Sequence, residues 1–166
     1  MTTPGQPVTP PADPRLGIAA PHPPPEGSLV LLYIEDNAAS VEVMKAVLDL
    51  CPAWRLIHSG LVATGIDVAH AHHPDLILVD MHLPDGSGAH VLTTLKAHPE
   101  TRDIPVVVVT AGATTTSATS LLQAGADQFW TKPHDLNLML AYFDHIATRP
   151  VNPVSGNSAT RQVPPW

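Results

Sequence analysis

The chain has 166 residues, 44% of them hydrophobic, and a formal net charge of −7. That is enough apolar material for the core of one ordinary domain with tails, and the acidic balance argues against a nucleic-acid-binding surface, which is usually basic. One cysteine, Cys51, excludes an intrachain disulfide framework. It falls at an apolar helix end and reads as an inert buried thiol. No stretch approaches the ~20 apolar residues of a membrane span. The N-terminal residues lack a basic region followed by an apolar core. The expected location is the cytoplasm.

Nine of the 19 prolines lie in residues 1–28, in stretches such as Pro10-Pro11 and Pro21-His22-Pro23-Pro24-Pro25. Little apolar content and no periodicity make residues 1–27 an expected disordered or polyproline II tail, a solvated extension more than a docking arm. Residues 148–166 again carry Pro, Gly, Ser and Asn and read as a second disordered tail, with Trp166 an unusual residue there. Residues 28–147 are the expected folded domain.

Between the tails, strand and helix signals alternate five times. Leu29–Ile34 is an apolar strand. Ala38–Leu50 places Val41, Met44, Val47 and Leu48 at helical spacing, and Pro52 stops it. Trp54–His58 is a shorter strand, and Leu61–His72 a weaker helix closed by Pro74. Asp75–Val79 is apolar without alternation, as a strand covered on both faces should be. Ser87–Lys96 is a third helix. Ile104–Val109 is a fourth strand, with Pro105 near its start where a missing donor is tolerated. Thr115–Ala124 is a helix ended by Gly125, and the polar run from Thr114 to Ser120 suits a loop and helix start. Ala126–Thr131 and His134–Ala147 complete the pattern. Strict alternation with right-handed crossovers predicts an α/β fold: a doubly wound five-stranded parallel sheet in flavodoxin-like order 2-1-3-4-5.

The residues at the strand ends carry the chemistry. Glu35-Asp36 follow the first strand, Asp80 the third, Thr110 the fourth and Lys132-Pro133 the fifth. In an open parallel sheet these ends converge on one crevice. Taken singly, each has a bland alternative. Asp36 or Asn37 could cap a helix, Thr110 could be an ordinary β-branched strand residue, and Lys132 a surface charge. Together they put three carboxylates, a hydroxyl and an ammonium in one pocket. Three carboxylates repel one another unless a hard divalent cation such as Mg²⁺ joins them, and the lysine and hydroxyl suit a phosphoryl group. A cis bond before Pro133 would aim the lysine into the crevice.

The four signatures are Tyr33-Ile34-Glu35-Asp36-Asn37, Leu78 through Gly88, Val108-Val109-Thr110-Ala111 and Thr131-Lys132-Pro133. In this order the chain resembles the receiver domain family of response regulators, over residues 28–147. The resemblance implies that Asp80 accepts a phosphoryl group, with Thr110 and Lys132 binding its oxygens. It implies that Mg²⁺ is held by Glu35, Asp36, Asp80 and the backbone carbonyl of His82, and that Thr110 and Phe129 form a switch. The implied partners are a sensor histidine kinase or histidine phosphotransfer protein and a downstream protein target, with no nucleic acid and no membrane. The only implied chemistry is the domain's own phosphoryl acceptance and self-dephosphorylation, so it is not expected to be an enzyme in the wider sense. The His82 side chain reads as a solvent-facing imidazole, with tuning of the lifetime of the phosphorylated state as its alternative role.

Other readings fit less well. A dinucleotide-binding domain needs a Gly-rich turn where this chain has two acids. A haloacid-dehalogenase-like phosphatase has a second aspartate where this chain has His82. His70, His72 and His73 cluster near a helix end, but no cysteine completes a zinc set. A receiver-like module that binds partners without phosphorylation is the strongest rival, and nothing structural in such a module requires all five site residues.

Overall fold

A computed structural model describes residues 27–112 and 115–149. Both predicted tails lie almost wholly outside those residues. Seven strands and five helices follow one another as β1 (Leu29–Ile34), α1 (Ala38–Leu48), β2 (Trp54–Ser59), α2 (Val62–His72), β3 (Leu76–Asp80), β4 (His82–Leu83), β5 (Gly86–Ser87), α3 (Gly88–Ala97), β6 (Val106–Thr110), α4 (Thr115–Gln123), β7 (Gln128–Thr131) and α5 (Leu136–Ala147). The five longer strands form one parallel sheet in the order β2-β1-β3-β6-β7. Counting only those strands, this is the predicted 2-1-3-4-5.

Strand periodicity divides the core into two layers. Leu32, Ile34, Ile77, Val79, Val106 and Val108 face one side, where Val68 of α2, Val91, Leu92 and Leu95 of α3 and Leu121 of α4 cover them. Leu31, Tyr33, Leu76, Leu78, Val107 and Val109 face the other, against Val41, Met44 and Val47 of α1 and Met139, Phe143 and Ile146 of α5. Every residue of β3 and β6 is buried, which is why these runs show no polar alternation. Phe143 packs on Trp54 with ring centroids 5.4 Å apart. A large apolar side chain buried to this degree stabilises the fold by about 1.5–3 kcal/mol.

The structure departs from the sequence reading at several boundaries. Helix α1 stops at Leu48, two residues early, because Leu50 and Cys51 donate to Val47 and Leu48 in tight i−3 turns. Cys51 is half-buried rather than enclosed, and burial still pushes its thiol up. The segment after β3, to which the sequence assigned no element, holds a small antiparallel pair, β4 and β5, with His82 opposite Ser87 and Leu83 opposite Gly86. Asn37, one of two predicted candidates, caps α1 by accepting from Ala39 and Ser40 at 2.9 and 3.1 Å. Helix α2 has no local side-chain cap. Its first amides, Val62 and Ala63, donate instead to the Asp85 carboxylate at 2.7 and 3.1 Å.

Candidate functional site

Register places the ends of β1, β3, β6 and β7 side by side. Ile34 pairs with Val79, Asp80 with Val109, and Thr110 with Thr131. Glu35, Asp80, Thr110 and Lys132 therefore reach the same edge of the sheet. Three of the four are nearly inaccessible: Glu35 is 1%, Asp80 7% and Thr110 2% exposed. A buried charge must be paired, and Lys132 Nζ donates to both Glu35 Oε2 and Asp80 Oδ2. The Lys132–Pro133 peptide bond is cis. Burial pulls the Lys132 ammonium down in pKa, but its hydrogen bonds to Asp80 and Glu35 outweigh that and hold it above its usual value.

The remaining acceptor capacity of the two carboxylates is also used. Tyr33 Oη donates to Glu35 Oε2 at 3.0 Å, and the Asn37 amide to Glu35 Oε1 at 3.1 Å. The His82 amide donates to Asp80 Oδ1 at 2.7 Å. Burial, reinforced by the charge of Glu35, pushes the Tyr33 phenol well up, so it remains a donor. Tyr33 stands in the first signature, but its bond to Glu35 escaped the sequence reading because the residue sits in an apolar strand. The available signal was its place two residues before Glu35, which puts both on one face of an extended chain.

Not every expected residue joins this cluster. Asp36 is exposed. The Thr110 hydroxyl faces its own loop, donating to the Gly112 carbonyl at 3.1 Å. The His82 side chain points to solvent while its backbone serves Asp80. Phe129 is half-buried and packs on the layer formed with α2, α3 and α4. Gly88 fits where a side chain would not, since a Cβ there would lie 2.5 Å from the Asp80 carbonyl oxygen. Among the described residues His70, His72 and His73 form no group that could hold a metal, in line with the sequence reading. His70 instead packs edge-on against His98 and faces Glu100 at 3.9 Å.

Comparison with known proteins decides the family. The model of the response regulator receiver domain matches residues 31–144, well over half of the chain. The chain belongs to the response regulator receiver domain family. It is thus a receiver domain of two-component signalling. The polar-differentiation response regulator DivK of Brucella ovis is 33% identical over 103 residues, covering 62% of this chain and 83% of DivK. Among solved structures, the receiver domain of sensor histidine kinase PA1611 from Pseudomonas aeruginosa, with a magnesium ion coordinated in its active-site cleft, is 24% identical with TM-score 0.65. That match covers 73% of this chain and 99% of the other. The Mn²⁺-bound form of response regulator Rcp1 is 25% identical with TM-score 0.59, covering 71% and 91%.

The receiver's donor set is of the kind a hard divalent cation takes. Glu35, Asp36 and Asp80 offer carboxylate oxygens, the ligands that Mg²⁺ prefers, and Asp36 keeps the solvent access that this ion's retained waters need. Lys132 pairs with Glu35 and Asp80 and leaves Asp36 outside that pairing. Among the described residues no three His, Cys, Asp or Glu side chains are already gathered about one metal position. Lys132 occupies the space between the two buried carboxylates instead. The site as it stands is a pair of buried acids held by a lysine, with a third acid at the rim.

Proposed function

We propose that this receiver domain accepts a phosphoryl group on Asp80 from a phosphohistidine partner in a Mg²⁺-dependent reaction and signals by contact with another protein. The observation that carries this reading is the buried Asp80 carboxylate, with Oδ2 on the Lys132 ammonium and Oδ1 on the His82 amide. A carboxylate fixed by two donors of different kinds is oriented for in-line attack and pays little reorganisation cost. In the transfer, an Asp80 oxygen forms a bond to phosphorus as the donor's N–P bond breaks, and the donor imidazole leaves with the electron pair. Lys132 then shifts its hydrogen bond to a phosphoryl oxygen. Thr110, two residues before Gly112, turns its hydroxyl from the Gly112 carbonyl to another phosphoryl oxygen.

A divalent cation held by Glu35, Asp36, Asp80 and the His82 carbonyl would supply the charge that offsets the phosphoryl oxygens. Glu35 is prepared for this role by Tyr33 and Asn37, which fix both its oxygens. The turn of Thr110 opens space beside β6, and Phe129 on the adjoining β7 repacks into it. The change is read on the surface made by α4, β7 and α5. The likeness to a Mg²⁺-bound and a Mn²⁺-bound receiver supports the metal requirement, and the family supports a histidine kinase or phosphotransfer protein as donor.

Amide NMR with a small acyl phosphate and Mg²⁺ tests the reading. Resonances of Asp80, Thr110, Phe129 and Lys132 are expected to move in the wild type and to stay fixed in Asp80→Asn. A wild-type spectrum unchanged by both reagents together would overturn it.

A further inference from the structure

Strand β2 lies at the edge of the sheet, and its last residues run beside the end of β1. Tyr33 pairs with His58 and Ile34 with Ser59. One more ladder bond follows, from the Glu35 amide to the Ser59 carbonyl at 2.9 Å. In a regular parallel ladder the Leu61 amide would then donate to the Glu35 carbonyl. It turns instead to Ser59 Oγ at 3.3 Å. A side chain takes the vacated place: His58 Nε2 lies 2.7 Å from the Glu35 carbonyl oxygen. A carbonyl oxygen only accepts, so Nε2 carries the proton in this bond.

The bond has a consequence across the same peptide. The Glu35 carbonyl and the Asp36 amide belong to one planar unit. Fixing the carbonyl fixes that plane, and with it the direction in which the chain leaves Glu35 and sets out Asp36. The Glu35 side chain is already held by Lys132, Tyr33 and the Asn37 amide. Asn37 is held in turn as the cap of α1. Asp36 between them is exposed, so packing does not orient it, and its direction follows from its backbone. His58 therefore acts at the step between the buried acid and the rim acid. Groups that orient metal ligands without touching the metal matter to binding, and losing one weakens affinity by about 10–100-fold.

We propose that His58 is a positioning residue of the cation site: through the Glu35 carbonyl it sets the peptide that carries Asp36 to the rim of the pocket. The inference rests on the reading of Glu35, Asp36 and Asp80 as ligands of a divalent cation. Titration of the metal-free full chain with Mn²⁺, with the unbound ion followed by electron paramagnetic resonance, tests it in wild type, His58→Gln and His58→Asn. The glutamine amide nitrogen stands as far along the side chain as Nε2, and the asparagine one only as far as Nδ1. Both variants are polar at a half-buried position, and only glutamine reaches the carbonyl. His58→Asn is expected to bind Mn²⁺ about ten-fold more weakly than the wild type, the lower end of the range for such groups. His58→Gln is expected to bind close to the wild-type value. In the metal-free protein the Asp36 amide resonance should move further in His58→Asn than in His58→Gln. Equal Mn²⁺ affinities in the two variants would overturn the proposal and leave the cation site standing. A wild type that binds no Mn²⁺ would overturn the cation site itself, and the role of His58 with it.

Discussion

One ammonium answers two buried carboxylates at the centre of this site, and both acids depend on it. Removing one partner from such an arrangement leaves uncompensated charge away from water, at a cost of about 3–5 kcal/mol. Lys132→Met is therefore expected to lower the metal-free stability by about 3 kcal/mol, read by urea unfolding. Unchanged stability would mean that Glu35 and Asp80 find other relief. The protonated groups around them have a consequence for pH. The folded state raises the Tyr33 phenol, from 10.0 when free, and the Lys132 ammonium, from 10.5. A raised folded value means that stability is fully present below the unfolded value and is lost as pH rises through the folded one. Cys51 and Tyr142, both raised, act in the same sense. Stability should hold to about pH 9, the free thiol value, and fall above it. In Tyr33→Phe the alkaline fall should be shallower than in the wild type. An equal slope in both would remove Tyr33 from the account.

At the scale of elements, the loop after β3 joins the site to a distant helix. Asp85 caps α2 across 23 residues of sequence, while Asp80 five residues earlier belongs to the site. Hydrogen bonds from the Val62 amide hold the Asp85 carboxyl below the usual carboxylate range. Its contribution is present at neutral pH and is lost as pH falls through that lowered value. Asp85→Ala should cost about 1 kcal/mol, the usual value of an N-cap. Hydrogen exchange should speed at Val62 and Ala63 ahead of the rest of the chain. Protection unchanged at those two amides would show that solvent replaces the cap without loss. This cap was not legible in the sequence, because Asp85 and the Val62 amide it caps lie 23 residues apart. Neither was the β4–β5 pair, because two-residue strands have no period to detect. Asn37 was legible because a cap and its helix are adjacent in the chain.

Across the whole molecule, the sheet order and the meeting of Glu35, Asp80, Thr110 and Lys132 at one edge were both readable from the sequence. Continuous apolar runs marked β3 and β6 as covered on both faces, and alternation with helices left few topologies. What the chain could not disclose was how the acids are held before any ligand arrives. The Asn37 and His82 amides and the turned-away Thr110 hydroxyl depend on loop conformations that periodicity does not carry. No helix among the described residues is long and apolar enough to cross a membrane. The central claim, that Asp80 is the phosphoryl acceptor, is tested most directly by intact-mass measurement after incubation with a small acyl phosphate and Mg²⁺. A single hydroxylamine-labile phosphoryl adduct is predicted on the wild type and none on Asp80→Asn. A wild type that gains no mass at any Mg²⁺ concentration, or an Asp80→Asn variant that gains it equally, would contradict the account.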